Sequence, residues 1–218
     1  MNMLEKIRNK FIDNPIFRRL WQIARIPLAI ILILFVGLVI YRIPVVMERQ
    51  KTKEVVEKIH SQKLTLADVS GERLPPEPDP VLKDATIEGI DANNNGIRDD
   101  VELAIFKEYP NSAKTRAVLL QYALALQMEM TQIIVNRETV TAVAEDGGRA
   151  YMCVGEITSR DDIEKFIEVS DKLHGFVEIR QLNNEERKKA QEDFYNGNLG
   201  SYTSPRENCD LDISQLPN

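Results

Sequence analysis

Asp91, Asn93, Asn95, Gly96, Asp99 and Glu102 fit the pattern D-x-[DN]-x-[DN]-G-x5-E, with every fixed position filled. That is the spacing of a calcium loop. Calcium takes about six to eight hard oxygen ligands, and this run can supply them. Side-chain oxygens of Asp91, Asn93 and Asn95 can turn inward, and the Ile97 carbonyl adds a main-chain ligand. Asp99 reaches the ion directly or through water, and Glu102 closes the site with both oxygens. Gly96 permits the sharp turn at mid-loop. A plainer reading is an Asn-rich turn that caps a helix starting near Asp99 or Asp100, since Asn-Gly runs form turns and early acidic residues suit a helix N-terminus. Such a turn has no need of Glu102 at position twelve. The expectation is one Ca2+ site with Asp91, Asn93, Asn95, Ile97, Asp99 and Glu102 as ligands.

The loop departs from an EF-hand in two ways. Asp84 to Ile90, just upstream, is too short and too close to prolines to make a good entering helix. Arg98 occupies loop position eight, where EF-hands usually carry an aliphatic residue. The run Asn95-Gly-Ile-Arg-Asp-Asp resembles the Asp-Gly-Ile-Pro-Asp runs of thrombospondin type 3-like bacterial calcium loops. A longer stretch, from LPPEPDP at Leu74 through TIEGIDANNNGIRDDVE to KTRAVLLQYALALQ, resembles uncharacterised proteobacterial membrane-anchored envelope proteins with a single calcium loop of this kind. The resemblance implies one calcium-type loop opening an all-helical domain, and it brings no activity with it.

Other candidate chemistry is thin. Cys153 lies in an apolar context and Cys209 in a polar tail. A disulfide between them would staple the C-terminus to the core, with a chain-entropy effect of about 4 kcal/mol. The alternative is two free thiols. Two Cys and two His, at 60, 153, 174 and 209, show no zinc or haem spacing. His174 falls where a helix should end, and His60 reads as solvent-facing. GxSxG, HExxH and phosphate-cradling glycine loops are missing from the sequence. An envelope hydrolase with a site assembled across helices stays open as an alternative function.

The elements that must present the loop begin with an anchor. Ile26 to Tyr41 is an uncharged apolar run of sixteen residues, about 24 Å as a helix. Trp21 and Tyr41, about 30 Å apart on such a helix, can sit at the two interfaces of a bilayer. Ile43 to Val46 extend the span to residues 26–46. No A-x-A cleavage site follows, so a signal anchor is expected over a cleaved signal. Charge is split: residues 1–53 carry +7 and residues 54–218 carry −13. The basic start, with Leu4, Ile7, Phe11, Phe17, Leu20 and Trp21 among its cations, reads as an amphipathic segment over residues 1–25 on the membrane surface. The acidic remainder argues against a nucleic-acid partner. Six Lys or Arg precede the span and five follow closely, a small bias to a cytoplasmic N-terminus. A periplasmic domain on the inner membrane, with the membrane and envelope proteins as partners, is the expected arrangement. The domain facing the cytoplasm is the alternative.

Beyond the span, residues 47–69 read as a juxtamembrane helix and 70–80 as a Pro-rich linker. Residues 81–218 read as the helical domain, so the fold class expected is all-α. Helices are expected from Asp100 to Tyr109, and from Ser112 as cap to about Asn136 with Leu119, Tyr122, Leu126, Met130 and Ile133 on one face. A third covers Thr139 to Ile157, with a break possible at Gly147-Gly148. A fourth, capped by Ser159, covers Asp161 to Leu173 and ends near His174-Gly175. A last one, capped by Asn183 or Asn184, runs to Tyr195. The helix from Ser112 is apolar nearly all round and is expected at the centre.

Overall fold

A computed structural model describes residues 15–196, 200–201 and 207–218. The basic amphipathic reading of residues 1–25 therefore lies mostly outside the described residues. The protein is all-helical, with no strand among the described residues. The chain divides into two units between Gln50 and Lys51.

Helix α1 runs unbroken from Pro15 to Ser61. The sequence suggested two helices here, one spanning and one juxtamembrane. Pro27 and Pro44 both lie inside the single helix that forms. An apolar helix tolerates such residues where its surroundings satisfy the freed carbonyls. The large apolar side chains from Ile26 to Met47 are exposed, and this is a helix long and apolar enough to cross a membrane.

The second unit is built around a helix that is buried on nearly every side. Helix α2 (Leu66–Ser70) is short and opens on a capping box between Thr65 and Asp68. After the turns of residues 91–98 come α3 (Asp99–Glu108), α4 (Ala113–Thr131), α5 (Arg137–Cys153), α6 (Ile163–Gln181) and α7 (Glu185–Tyr195). Helix α4 packs against α2, α3, α5, α6 and α7 and is the axis of the domain. Every residue from Arg116 to Glu129 on it is buried. Ser112 caps α4, and Asn184 caps α7, each accepting a backbone N–H three residues on.

The ends of α4 and α6 differ from expectation for physical reasons. Helix α4 stops at Thr131 because Asn136 begins a new capping box with Thr139; Ile133, expected on its apolar stripe, is exposed. Gly147-Gly148 does not break α5. A Cβ on Gly147 would meet a Glu129 carboxylate oxygen at 3.2 Å, so glycine allows α5 to lie close to α4. Helix α6 continues through His174-Gly175 to Gln181, because Leu173, His174, Val177 and Gln181 form its buried face. Packing of that face outweighs the cost of one glycine, about 1 kcal/mol.

The domain also starts earlier than its helix pattern indicated. Ile59, Leu64 and Val69 are buried in the core, although residues 47–69 read as juxtamembrane. In the Pro-rich stretch, residues 71–80 have no regular structure, but Pro75 is buried. At the far end, Cys153 and Cys209 form a disulfide with Cα atoms 5.0 Å apart. Beside it, Arg149 donates to the Glu207 carbonyl and pairs with Asp210, and Ile213 and Leu216 enter the core.

A fragment of residues 51–218 is expected to fold cooperatively, and one of residues 81–218 is not. The shorter piece lacks Ile59, Leu64 and Val69. At roughly 1.5 to 3 kcal/mol each, that loss is comparable to the whole stability of a small domain. Urea titrations followed by circular dichroism check this.

Candidate functional site

The loop folds by bonding its own side chains to its backbone. Asp91 Oδ1 accepts the Asn95 N–H at 3.1 Å and Oδ2 the Gly96 N–H at 2.8 Å. Asn93 Oδ1 also accepts from Asn95 N–H, at 3.3 Å, and Asn95 Oδ1 from Ile97 N–H at 2.9 Å. Short polar side chains close such turns readily. Asn94 and Gly96 both sit in the left-handed region, at φ +56° and +84°. Asparagine tolerates that conformation and glycine is free in it. Gly96 is also sealed in: a Cβ there would lie 2.6 Å from Gln62 Nε2 and 2.7 Å from Leu124 Cδ1. The turn thus rests against α4 and the residue after α1.

The acidic end of the loop is the first turn of α3. Asp99 is fully buried, accepts the Ala92 N–H with both oxygens at 3.0 and 3.2 Å, and donates its own N–H to Ile90 O. Glu102 is fully buried too. Its Oε2 accepts from Asn93 Nδ2 and Asn95 Nδ2, both at 3.0 Å. Its Oε1 is buried and has no hydrogen-bond partner. Burial is the main reason its carboxyl is pushed up to about 7; the two amides oppose this, and the charges of Asp68 and Asp99 add to it. Burial raises the Asp99 carboxyl as well.

Five of the six expected ligand residues, Asp91, Asn93, Asn95, Asp99 and Glu102, are therefore linked through their side chains by one hydrogen-bonded loop. Ile97 joins through its backbone N–H, and its side chain is in the core. Among the described residues, no three or more His, Cys, Asp or Glu side chains are grouped as a metal cage of those residues alone would need. The loop's oxygens come from carboxylates, amides and the main chain together.

Two buried arginines hold the loop in place, and neither is evident from the pattern. Arg98, at position eight, is fully buried. Its Nη1 donates to the carbonyls of Arg180 and Gln181 at the end of α6, and Nε and Nη2 pair with both oxygens of Asp100. A cation at a helix C-terminus is favourably placed. Arg187 of α7 is also fully buried. It donates to the carbonyls of Lys83, Thr86 and Ile87, to Asp84 Oδ1 at 2.6 Å and to Asn183 Oδ1. The segment leading into the loop is clamped by one side chain. The sequence marks Arg98 only as a departure at loop position eight, and Arg187, inside the charged run Glu185 to Lys189, carries no local hint of this role.

His174 differs from its reading as a helix-end residue. His174 is mid-helix and buried, hydrogen-bonded to Ser170 and packed between Tyr122 and Tyr151. Burial lowers its pKa, so the neutral ring is favoured. Ser170 and His174 are 2% and 3% exposed, which closes their atoms to a substrate. His60 is exposed, as read from the sequence, and its Nδ1 also lies 3.2 Å from Asp146 Oδ2.

No protein-family model matches the chain, and no curated protein or solved structure matches it either.

The raised Glu102 carboxyl has a stability consequence. Its stabilising neutral form is fully present below about 4.5, its ordinary value, and is lost as pH rises through about 7. Metal-free residues 51–218 should therefore lose stability between pH 5 and pH 8, with Glu102 contributing on the order of 2 to 3 kcal/mol. Glu102→Gln should lose that share of the pH dependence. Urea midpoints of the two proteins at both pH values provide the comparison.

Proposed function

We propose that this chain is a single-pass, membrane-anchored calcium-binding protein with a structural or interaction role in a bacterial envelope. The observation that carries the reading is Glu102. At the closing position of the loop stands a carboxylate that is fully buried, with one oxygen bonded only to two loop amides and the other unbonded. A buried carboxylate without a cation is costly, and a hard divalent ion would remove that cost. The donor set suits such an ion. Each amide or carboxylate oxygen that accepts one backbone N–H keeps a further lone pair. Asp91, Asn93, Asn95, the Ile97 carbonyl, Asp99 and Glu102 would hold it, and the ion would supply charge neutralisation and rigidity.

Two features support the placement. The apolar part of α1 has the length and exposure of a span. The Cys153–Cys209 disulfide suits an oxidising compartment, so the helical domain would be periplasmic and the N-terminus cytoplasmic. The role follows from how the loop is built in. Held by Arg98 and Arg187 and rested on α4, it would stiffen the domain's surface for contact with envelope partners. No nucleic-acid surface is proposed.

Calorimetric titration of calcium into residues 51–218 should show one site of modest affinity, roughly 10 µM to 1 mM. Glu102→Ala should abolish the heat. Absence of binding in the unaltered fragment would remove the calcium reading. A reporter active only outside the cytoplasm, fused after Asn218, should be active; a silent fusion with normal expression would reverse the topology.

A further inference from the structure

Asp68 lies outside the loop, in α2, and its side chain is 3% exposed. One of its oxygens has a clear task. Oδ2 accepts the Thr65 N–H at 2.8 Å and the Thr65 hydroxyl at 2.6 Å, which completes the capping box. The other oxygen, Oδ1, is buried and accepts no hydrogen bond. Capping does not account for that burial. Arg73 Nη1 lies 3.8 Å from Oδ1, and nearly half of the Arg73 side chain is in solvent.

Arg73 ties Asp68 to the loop. Its Nη2 donates to Asn93 O at 3.0 Å, and its own carbonyl accepts from Asn93 Nδ2 at 2.8 Å. The same Asn93 amide donates to Glu102 Oε2 at 3.0 Å. The contacts run Asp68–Arg73–Asn93–Glu102, and the two carboxylates at the ends each carry a buried oxygen with no hydrogen bond. Asp68 is also one of the charges that disfavour ionised Glu102. Two buried carboxylates that repel each other call for a cation, and one half-solvated guanidinium is a partial answer.

We propose that Asp68 is a fourth acidic group of the calcium site, acting from outside the loop. This rests on the calcium reading and extends it. Asp91, Asp99 and Glu102 are the acidic ligands expected within the loop, whose remaining acid, Asp100, is paired with Arg98; Asp68 adds negative potential from α2. The ion would then link α2 to the loop and relieve the Asp68–Glu102 repulsion. Asp68 is a positioning and charge-balancing residue in this account; direct coordination is not required of it.

The test uses the full chain in detergent, with calcium titrated into the unaltered protein, Asp68→Asn and Glu72→Gln. Asparagine keeps a side-chain oxygen for the Thr65 N–H, so the cap can survive. Glu72 is an exposed carboxylate four residues away and controls for the general field. Asp68→Asn should weaken calcium binding by about 3- to 10-fold, a size expected for removing one partly desolvated charge. It should leave the metal-free melting temperature unchanged or higher, and shrink the rise that calcium produces. Glu72→Gln should change affinity by less than about twofold, as expected for an exposed charge. Equal weakening in the two variants would overturn the inference. So would Asp68→Asn affinity within about twofold of the unaltered protein, even if its metal-free melt were lower, since that marks a cap alone. In both cases calcium binding by the unaltered chain would leave the loop reading standing. No binding by the unaltered chain would overturn both.

Discussion

The burial of Glu102 is the constraint on which the loop end of this domain depends. Its oxygens are out of water, and the groups around it are arranged by that fact. Asn93 and Asn95 turn their amide N–H groups to one oxygen while their own oxygens serve the loop backbone. Asp99 spans the loop's start and end through Ala92 and Ile90. The peptide groups are well provided for, so the imbalance that remains is electrostatic. It is of the kind that a divalent cation corrects, and this connects the fold to the proposed chemistry.

The loop is supported differently from a paired EF-hand. Position eight holds a buried guanidinium that reaches the last carbonyls of α6. Arg187 holds the approach to the loop through three carbonyls, an aspartate and an asparagine. Single-loop architecture follows from these anchors, since α6 and α7 take the place of a second loop. Burying two cations is expensive, and here each is offset by a carboxylate and several carbonyls in good geometry. Helix α4 provides the apolar wall behind them.

Local signals in the sequence carried much of the fold. The loop spacing, the caps at Ser112 and Asn184, the apolar circumference of α4 and the all-helical class were legible, because each depends on neighbours within a few turns. Long-range features were not. Ile59, Leu64 and Val69 sit in a stretch that reads as juxtamembrane until the rest of the core is placed beside them. Gly175 reads as a stop, yet the buried face of α6 carries the helix past it. Asp68 and Arg187 lie tens of residues from the loop, and nothing local marks them as part of its surroundings. Arg98 stands out at position eight, but its partners at Arg180 and Gln181 come from a helix more than eighty residues away.

The central claim concerns where calcium sits, and a crystal structure of residues 51–218 grown with calcium addresses it most directly. The account predicts one ion, with oxygens of Asp91, Asn93, Asn95, Ile97 and Glu102 at about 2.3 to 2.6 Å, and Glu102 contributing both of its oxygens. Asp99 should lie in direct or water-mediated contact. A loop without an ion at millimolar calcium, with Asn93 and Asn95 still donating to Glu102, would contradict the account.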